Sequence, residues 1–255
     1  ATGGPYNYGV YNDSSSSPSM TDVTATATGG NINYGVYNFS SSSPSMNNVT
    51  ATGTGGTYSY GVYNFSSSSP SMDNVTATGT GGTTYSYGVY NLSLSSPSMN
   101  NVTATATATG GGESYGVYNN NSSPSMNNVT ATATGDTNGT GVFNIGSSPS
   151  MNNVTATATA TGDTNGNYGV VNNSSSPSMN NVTATATGGA DNFGVINESS
   201  SSPTIRNSSI TGTTNSIVNN GSTAQVADSM LDGLVGGDGI TCFGVYDESF
   251  AQIIC

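Results

Sequence analysis

Apolar and polar residues recur along this chain in three short patterns, always in the same order. The run Val-Thr-Ala-Thr-Ala-Thr alternates strictly, as at residues 23–28. A strand there sends Val23, Ala25 and Ala27 to one face and Thr24, Thr26 and Thr28 to the other. Small apolar residues suit the inside of a tight coil, and threonine suits an exposed β surface. The run Tyr-Gly-Val-Tyr-Asn predicts another strand, with Val10 inward and Tyr11 outward. The short run Pro-Ser-Met predicts a third, whose methionines Met20, Met46, Met72, Met99, Met126, Met151 and Met179 fill the core. Ser- and Gly-rich turns separate the three.

The patterns form a block that is written eight times. Its Gly-Val pair falls at Gly9, Gly35, Gly61, Gly88, Gly116, Gly141, Gly169 and Gly194, in steps of 25 to 28 residues. Self-similarity at this period means a solenoid, in which each repeat is one coil that stacks on its neighbours. From Gly-Val to the Ser-Pro proline takes nine residues in five copies and eight in three, and the serine run absorbs the change. Blocks of fixed length joined by elastic turns predict a three-sided parallel coil, because strands must keep register while corners bulge. The expected fold class is therefore all-β, a β-solenoid of about eight coils and about 38 Å in length. It spans residues 1–220, and residues 221–255 are expected to form a C-terminal capping or docking segment. In the eighth copy Ser208 and Ile210 take the places of Val23 and Ala25.

Two asparagine columns run through the copies. The first is Asn12, Asn38, Asn64, Asn91, Asn119, Asn144, Asn172 and Asn197; the second is Asn48, Asn74, Asn101, Asn128, Asn153, Asn181 and Asn207, with Asp22 in the first copy. Asparagine tolerates the left-handed backbone of a tight corner. Stacked at about 4.8 Å, its amide can donate to one coil and accept from the other, so both columns are expected to be ladders. An aspartate fits where such a stack ends. Asn-Val-Thr is also a formal glycosylation sequon. The ladder is the preferred reading there, and Asn38 and the serine runs are the better sugar candidates.

Charge narrows the function. Among 255 residues there are thirteen acids and one base, Arg206, with no lysine or histidine. Nucleic-acid binding needs cations to displace counterions from phosphates, and an anionic membrane surface needs the same; neither is expected. No apolar run is long enough to insert in a membrane, and no signal core is present. Ala1-Thr2-Gly3-Gly4 matches Ala186-Thr187-Gly188-Gly189, so the chain reads as opening mid-repeat, as a processed chain or fragment would. Cys242 and Cys255 lie outside the repeats and read as a disulfide clasp, hence an oxidising, extracellular or cell-surface location. Gly244-Val245-Tyr246 echoes the repeat and is expected to begin a ninth coil. No metal is expected, since C-x₁₂-C is not a ligand pattern and no histidine could complete one.

Val195-Ile196-Asn197 followed by Ser202-Pro203-Thr204-Ile205-Arg206-Asn207-Ser208-Ser209-Ile210 resembles the right-handed parallel β-helix repeat family. The other copies, with Ser-Pro-Ser-Met-x-Asn-Val-Thr-Ala, resemble bacterial cell-surface repeat proteins with a Cys-bearing C-terminal segment. The resemblance implies a right-handed coil and little about function, because this fold carries lyases, adhesins, phage spikes and filaments.

Two outward columns are candidate contact surfaces. Thr24, Thr26, Thr50, Thr52, Thr76, Thr78, Thr103, Thr105, Thr130, Thr132, Thr155, Thr157, Thr183 and Thr185 would form a charge-free grid, about 6.7 Å by about 4.8 Å. Such a grid resembles the surface of β-solenoid ice-binding proteins. Tyr11, Tyr37, Tyr63, Tyr90 and Tyr118 would form an amphipathic ladder suited to sugars or a protein neighbour. Catalysis is not expected: the acids at Asp13, Asp73, Glu113, Asp136, Asp163, Asp191 and Glu198 are scattered, and no cofactor is implied. The turns at Asp136 and Asp163 offer at most a weak Ca²⁺ contact. The expectation is an extracellular structural protein, a filament or adhesin-stalk subunit that self-associates head to tail; ice binding is the alternative.

Overall fold

A computed structural model describes all residues except 161 and 163–165. Its 23 strands join in one sheet wound into a coil, and there is no helix among the described residues. Each coil has three faces. The first face carries strands such as Ile32–Asn38 and Tyr58–Phe65, and each pairs in parallel with the same strand one copy later. The second carries the short strands around the methionines, such as Ser45–Asn47. The third carries the threonine runs, such as Thr50–Thr54. In the four copies from Ser98–Ala108 to Ser178–Thr187, second and third faces form one strand bent at its asparagine.

The core is narrow and repeats in every coil. Val36, Met46, Val49 and Ala51 are sealed from solvent, and so are their equivalents up to Val170, Met179, Val182 and Ala184. Val10 and Val23, in the first coil, are only partly covered. The repeated glycine is explained by closeness. A Cβ on Gly35 would lie 2.4 Å from the backbone N of Thr52 and 2.6 Å from the carbonyl carbon of Ala51. First and third faces therefore touch backbone to backbone, and only glycine lets them.

Two corners depend on left-handed backbone. Between second and third faces, Asp22, Asn48, Asn74, Asn101, Asn128, Asn153, Asn181 and Asn207 all have φ between 50° and 55°. Asparagine supplies this conformation at little cost. Between first and second faces the length variation has a simple form. Nine-residue copies place two residues in the left-handed region, such as Ser40 and Ser41, and eight-residue copies place one, such as Asn121.

The first asparagine column is not a corner, contrary to the sequence expectation. Asn38, Asn64 and the rest lie within strands at ordinary φ, with their side chains buried inside the coil. There each Nδ2 donates to the Oδ1 one coil ahead: Asn12 to Asn38 at 2.8 Å, Asn64 to Asn91 at 2.8 Å, and so on to Asn197 and Asn219 at 2.8 Å. Burial removes Asn38 as a sugar site. The corner column is exposed and its ladder runs backward, Asn48 Nδ2 donating to Asp22 Oδ1 at 3.0 Å and Asn128 to Asn101 at 3.2 Å. Asp22 can only accept, which is what the first member of a backward ladder needs. The last member departs, since Asn207 donates to Asn180 and not to Asn181.

Further ladders escaped sequence reading. Asn100, Asn127, Asn152 and Asn180 form a second, mostly half-buried series that starts on Asp73. Buried serines form another: the Ser42 N–H donates to Ser68 Oγ at 3.1 Å, and each copy repeats the bond up to Ser201 and Ser222. An exposed serine series runs the opposite way, from the Ser43 N–H to Ser17 Oγ and on to Ser202 and Ser176. Each bond contributes about 0.5–1.5 kcal/mol net, so the series add to the backbone pairing at every layer.

The stacking does not stop at residue 220, where the expected solenoid boundary lay. Asn215–Asn220 pairs with Asp191–Glu198, Ala224–Ala227 with Thr204–Arg206, and Met230–Asp232 with Ser209–Thr211. A ninth coil is thus built from sequence that has lost the repeat, and a tenth begins at Leu234–Gly236 and Ile240–Phe243. Gly244-Val245-Tyr246 does not open a first face. Gly244 takes the left-handed corner, φ 62°, one layer beyond Asp228, and Tyr246 bridges Met230 on the third face. Its true counterpart is Asn-Val-Thr, with Val245 buried as Val49 is. Cys242 and Cys255 form the expected disulfide, Cα atoms 5.4 Å apart, which ties the chain end to the last coil.

Candidate functional site

The first face presents an aromatic wall. Residues three apart in a regular strand point to opposite sides, yet Tyr34 and Tyr37 stand side by side with ring centroids 4.9 Å apart. The alternation slips at Gly35, the residue pressed against the third face. One slip per copy puts two tyrosines on the outside. The predicted contact column Tyr11, Tyr37, Tyr63, Tyr90 and Tyr118 does face outward. The column before the glycine joins it, which sequence reading left unassigned.

Both ranks stack along the axis. Tyr34, Tyr60 and Tyr87 follow one another at 4.9 and 5.0 Å, and Tyr37, Tyr63 and Tyr90 at 5.1 and 5.0 Å. The inner rank is nearly covered by its neighbours: Tyr34, Tyr60 and Tyr87 are 9%, 8% and 7% exposed. Burial, then neighbouring phenols, pushes the Tyr37 hydroxyl up to about 12. Burial does the same to Tyr90, up to about 12, where Tyr118 adds to the rise and Asn120 opposes it. Tyr60 and Tyr87 are raised further by the same burial. The wall is interrupted after the fifth coil, and only its inner rank resumes, with Tyr168 and Phe193. After Tyr115 the inner rank holds Thr140, and after Phe143 the outer rank holds Val171 and Ile196.

The third face presents the threonine grid. Thr24, Thr50, Thr76, Thr103, Thr130, Thr155 and Thr183 are in register, as are Thr26, Thr52, Thr78, Thr105, Thr132, Thr157 and Thr185. A third rank, Thr28, Thr54, Thr80, Thr107, Thr134, Thr159 and Thr187, widens the grid beyond the expected two. The first rank is exposed and the others mostly half-buried. Apart from a 3.5 Å contact between Thr80 and Thr54, no grid hydroxyl has a protein partner among the described residues.

Most charged residues are scattered, but Glu113 and Glu198 both line one cavity on the first face. Arg206 is exposed on the second face beside Asn180 and Ala227. Asp73 holds its asparagine ladder, and Asp136 accepts from the Gly111 N–H at 3.1 Å. Asp163 lies outside the described residues. No group of three His, Cys, Asp or Glu that could hold a metal occurs among the described residues.

No family model and no curated protein matches the chain. Among solved structures it is similar to full-length tailspike protein 2 from the Escherichia coli O157:H7 bacteriophage CAB120, at a TM-score of 0.46 and 10% identity, over 93% of this chain and 35% of that one. It is also similar to QnrB1, a plasmid-mediated fluoroquinolone resistance protein, at a TM-score of 0.28 and 9% identity, over 92% of this chain and 93% of that one. The endo-xylogalacturonan hydrolase of Aspergillus tubingensis follows at 0.26 and 10% identity, over 92% and 74%. The chain spans about a third of the tailspike's length. The parallel coil rests on its own strand pairing.

Proposed function

We propose that the protein is an extracellular structural element, the subunit of a β-solenoid surface filament or adhesin stalk that assembles head to tail. One observation carries the reading: every layer is tied to the next by in-register strands and by side-chain ladders running in both directions. Such a rod resists bending and local opening, because a coil cannot leave without breaking bonds on both sides. Interior strands are paired on both sides, so a second copy would add at an end coil as the next coil does, and a contact of that kind propagates. The disulfide supports an oxidising location. The reading assigns no catalysis. Electron microscopy of native material tests it. Fibres with an axial repeat of about 50 Å, ten layers at the strand spacing, are expected; monodisperse monomers at high concentration overturn assembly.

A second reading, ice binding, is favoured by the threonine grid: in register, uncharged, with hydroxyls open to water. Thermal hysteresis with faceted ice crystals at sub-millimolar protein supports it, and its absence removes it.

A further inference from the structure

The aromatic wall has one missing rung. In the inner rank Tyr8, Tyr34, Tyr60, Tyr87 and Tyr115 are followed by Thr140, and the rank then resumes with Tyr168 and Phe193. Tyr115 and Tyr168 are therefore two coils apart, about 9.6 Å along the axis, with the place of one ring empty between them. A cavity of about 220 Å³ occupies that place, lined by Tyr115, Thr140, Phe143, Tyr168, Glu113 and Glu198 among others. It is smaller than the clefts of about 300–1,000 Å³ that take drug-sized ligands, so it suits a headgroup.

We infer that this slot is a binding site for a quaternary ammonium or other methylated amine headgroup. Tyr115 and Tyr168 bound the slot along the axis and Phe143 lies at its side, the cage that attracts an organic cation through ring quadrupoles. Glu113 and Glu198 supply charge. Neither meets a cation among the described residues, and the chain's one arginine is on another face. Both carboxylates line the slot, and both act on the Tyr168 phenol, which is raised first by burial, then by Glu198, Asp191 and Glu113. Their oxygens already accept neutral bonds. Glu113 takes the Tyr115 hydroxyl at 2.6 Å and the Asn138 amide at 3.2 Å, and Glu198 takes the Asn173 amide at 3.4 Å. That favours a methylated cation, which needs field and contact, over a primary amine, which needs free acceptors. Thr140 stands where the missing ring would be: it is buried, lines the slot, and its hydroxyl has no partner among the described residues.

Choline and its neutral isostere 3,3-dimethylbutan-1-ol test the site by NMR titration of the aromatic ring resonances of the full chain. Choline is expected to bind with a dissociation constant on the order of 1 mM, and the neutral alcohol at least about tenfold more weakly. Thr140→Tyr fills the rung with the residue that the same rank holds in neighbouring coils, and should abolish binding while the circular dichroism is unchanged. Glu113→Gln with Glu198→Gln keeps the shape and should weaken choline by about tenfold or more. Equal binding of choline and the alcohol overturns the inference. So does choline binding that survives Thr140→Tyr, or the lack of any saturable shift.

Discussion

The first and third faces of the coil are made alike and end up unlike. Both are stacks of short parallel strands, both present columns of one residue type at the same spacing, and both alternate small inward residues with larger outward ones. On the first face the outward residue is a ring that reaches the rings above, below and beside it, so the wall covers itself: Tyr87 is 7% exposed although no other element lies over it. On the third face the outward residue is threonine, too short to reach across, and its hydroxyls stay open to water. Repetition sets where a column stands; the length of the side chain sets whether it becomes core or surface. The aromatic face therefore adds to the core, and the threonine face stays open to solvent.

The sharpest way to break the difference is Gly61→Ala. A Cβ there would lie 2.4 Å from the Thr78 N and 2.6 Å from the Gly88 carbonyl oxygen. Backbone cannot yield cheaply, so first and third faces must part and the slip that pairs Tyr60 with Tyr63 is lost. A loss of roughly 4 kcal/mol or more is expected, read as a large drop in thermal midpoint. An unchanged midpoint would show that the faces do not touch.

Tyr87→Ala removes one buried rung and leaves the backbone alone. Truncating a buried aromatic costs about 3–5 kcal/mol, and near-ultraviolet circular dichroism should lose intensity with it. A cost below about 1 kcal/mol would mean that the wall is surface and not core.

Alkaline pH separates the faces without mutation. Burial raises the hydroxyls of Tyr37 and Tyr90 to about 12. The fold thus favours the neutral phenol, so their contribution to stability is complete below about pH 10, the ordinary tyrosine value. It is lost as pH rises through about 12. Phenolate absorbance should rise in two stages, the second coinciding with unfolding of the wall. A single stage near pH 10 would contradict the burial.

Thr132→Ala is the mildest probe. A half-buried strand position whose hydroxyl has no protein partner among the described residues is expected to change stability by no more than about 0.5 kcal/mol, measured by denaturant unfolding. A larger loss would show that the grid supports the coil.

Much of this was legible in advance. Period, block lengths and alternation are local properties of the chain, and they specify a three-sided parallel coil, its methionine and valine core and its outward threonines. Cysteine placement pointed to the clasp. The two asparagine columns were equally visible, but sequence alone could not tell them apart. One is buried within strands and donates forward, as Asn64 does to Asn91; the other is exposed at a left-handed corner and donates backward, as Asn48 does to Asp22. That distinction depends on which way a side chain points after the backbone has turned.

The slip at Gly35 was hidden for the same reason, since it arises only where two faces press together. The ninth coil was hidden because its layer is held by pairing to the coil before it, and pairing tolerates loss of the repeat. By itself the sequence determined the period, the strands and the residues that recur. The tertiary structure decided the direction of each ladder and the doubling of the aromatic wall, because each comes from contact between residues about seventeen to twenty-eight positions apart.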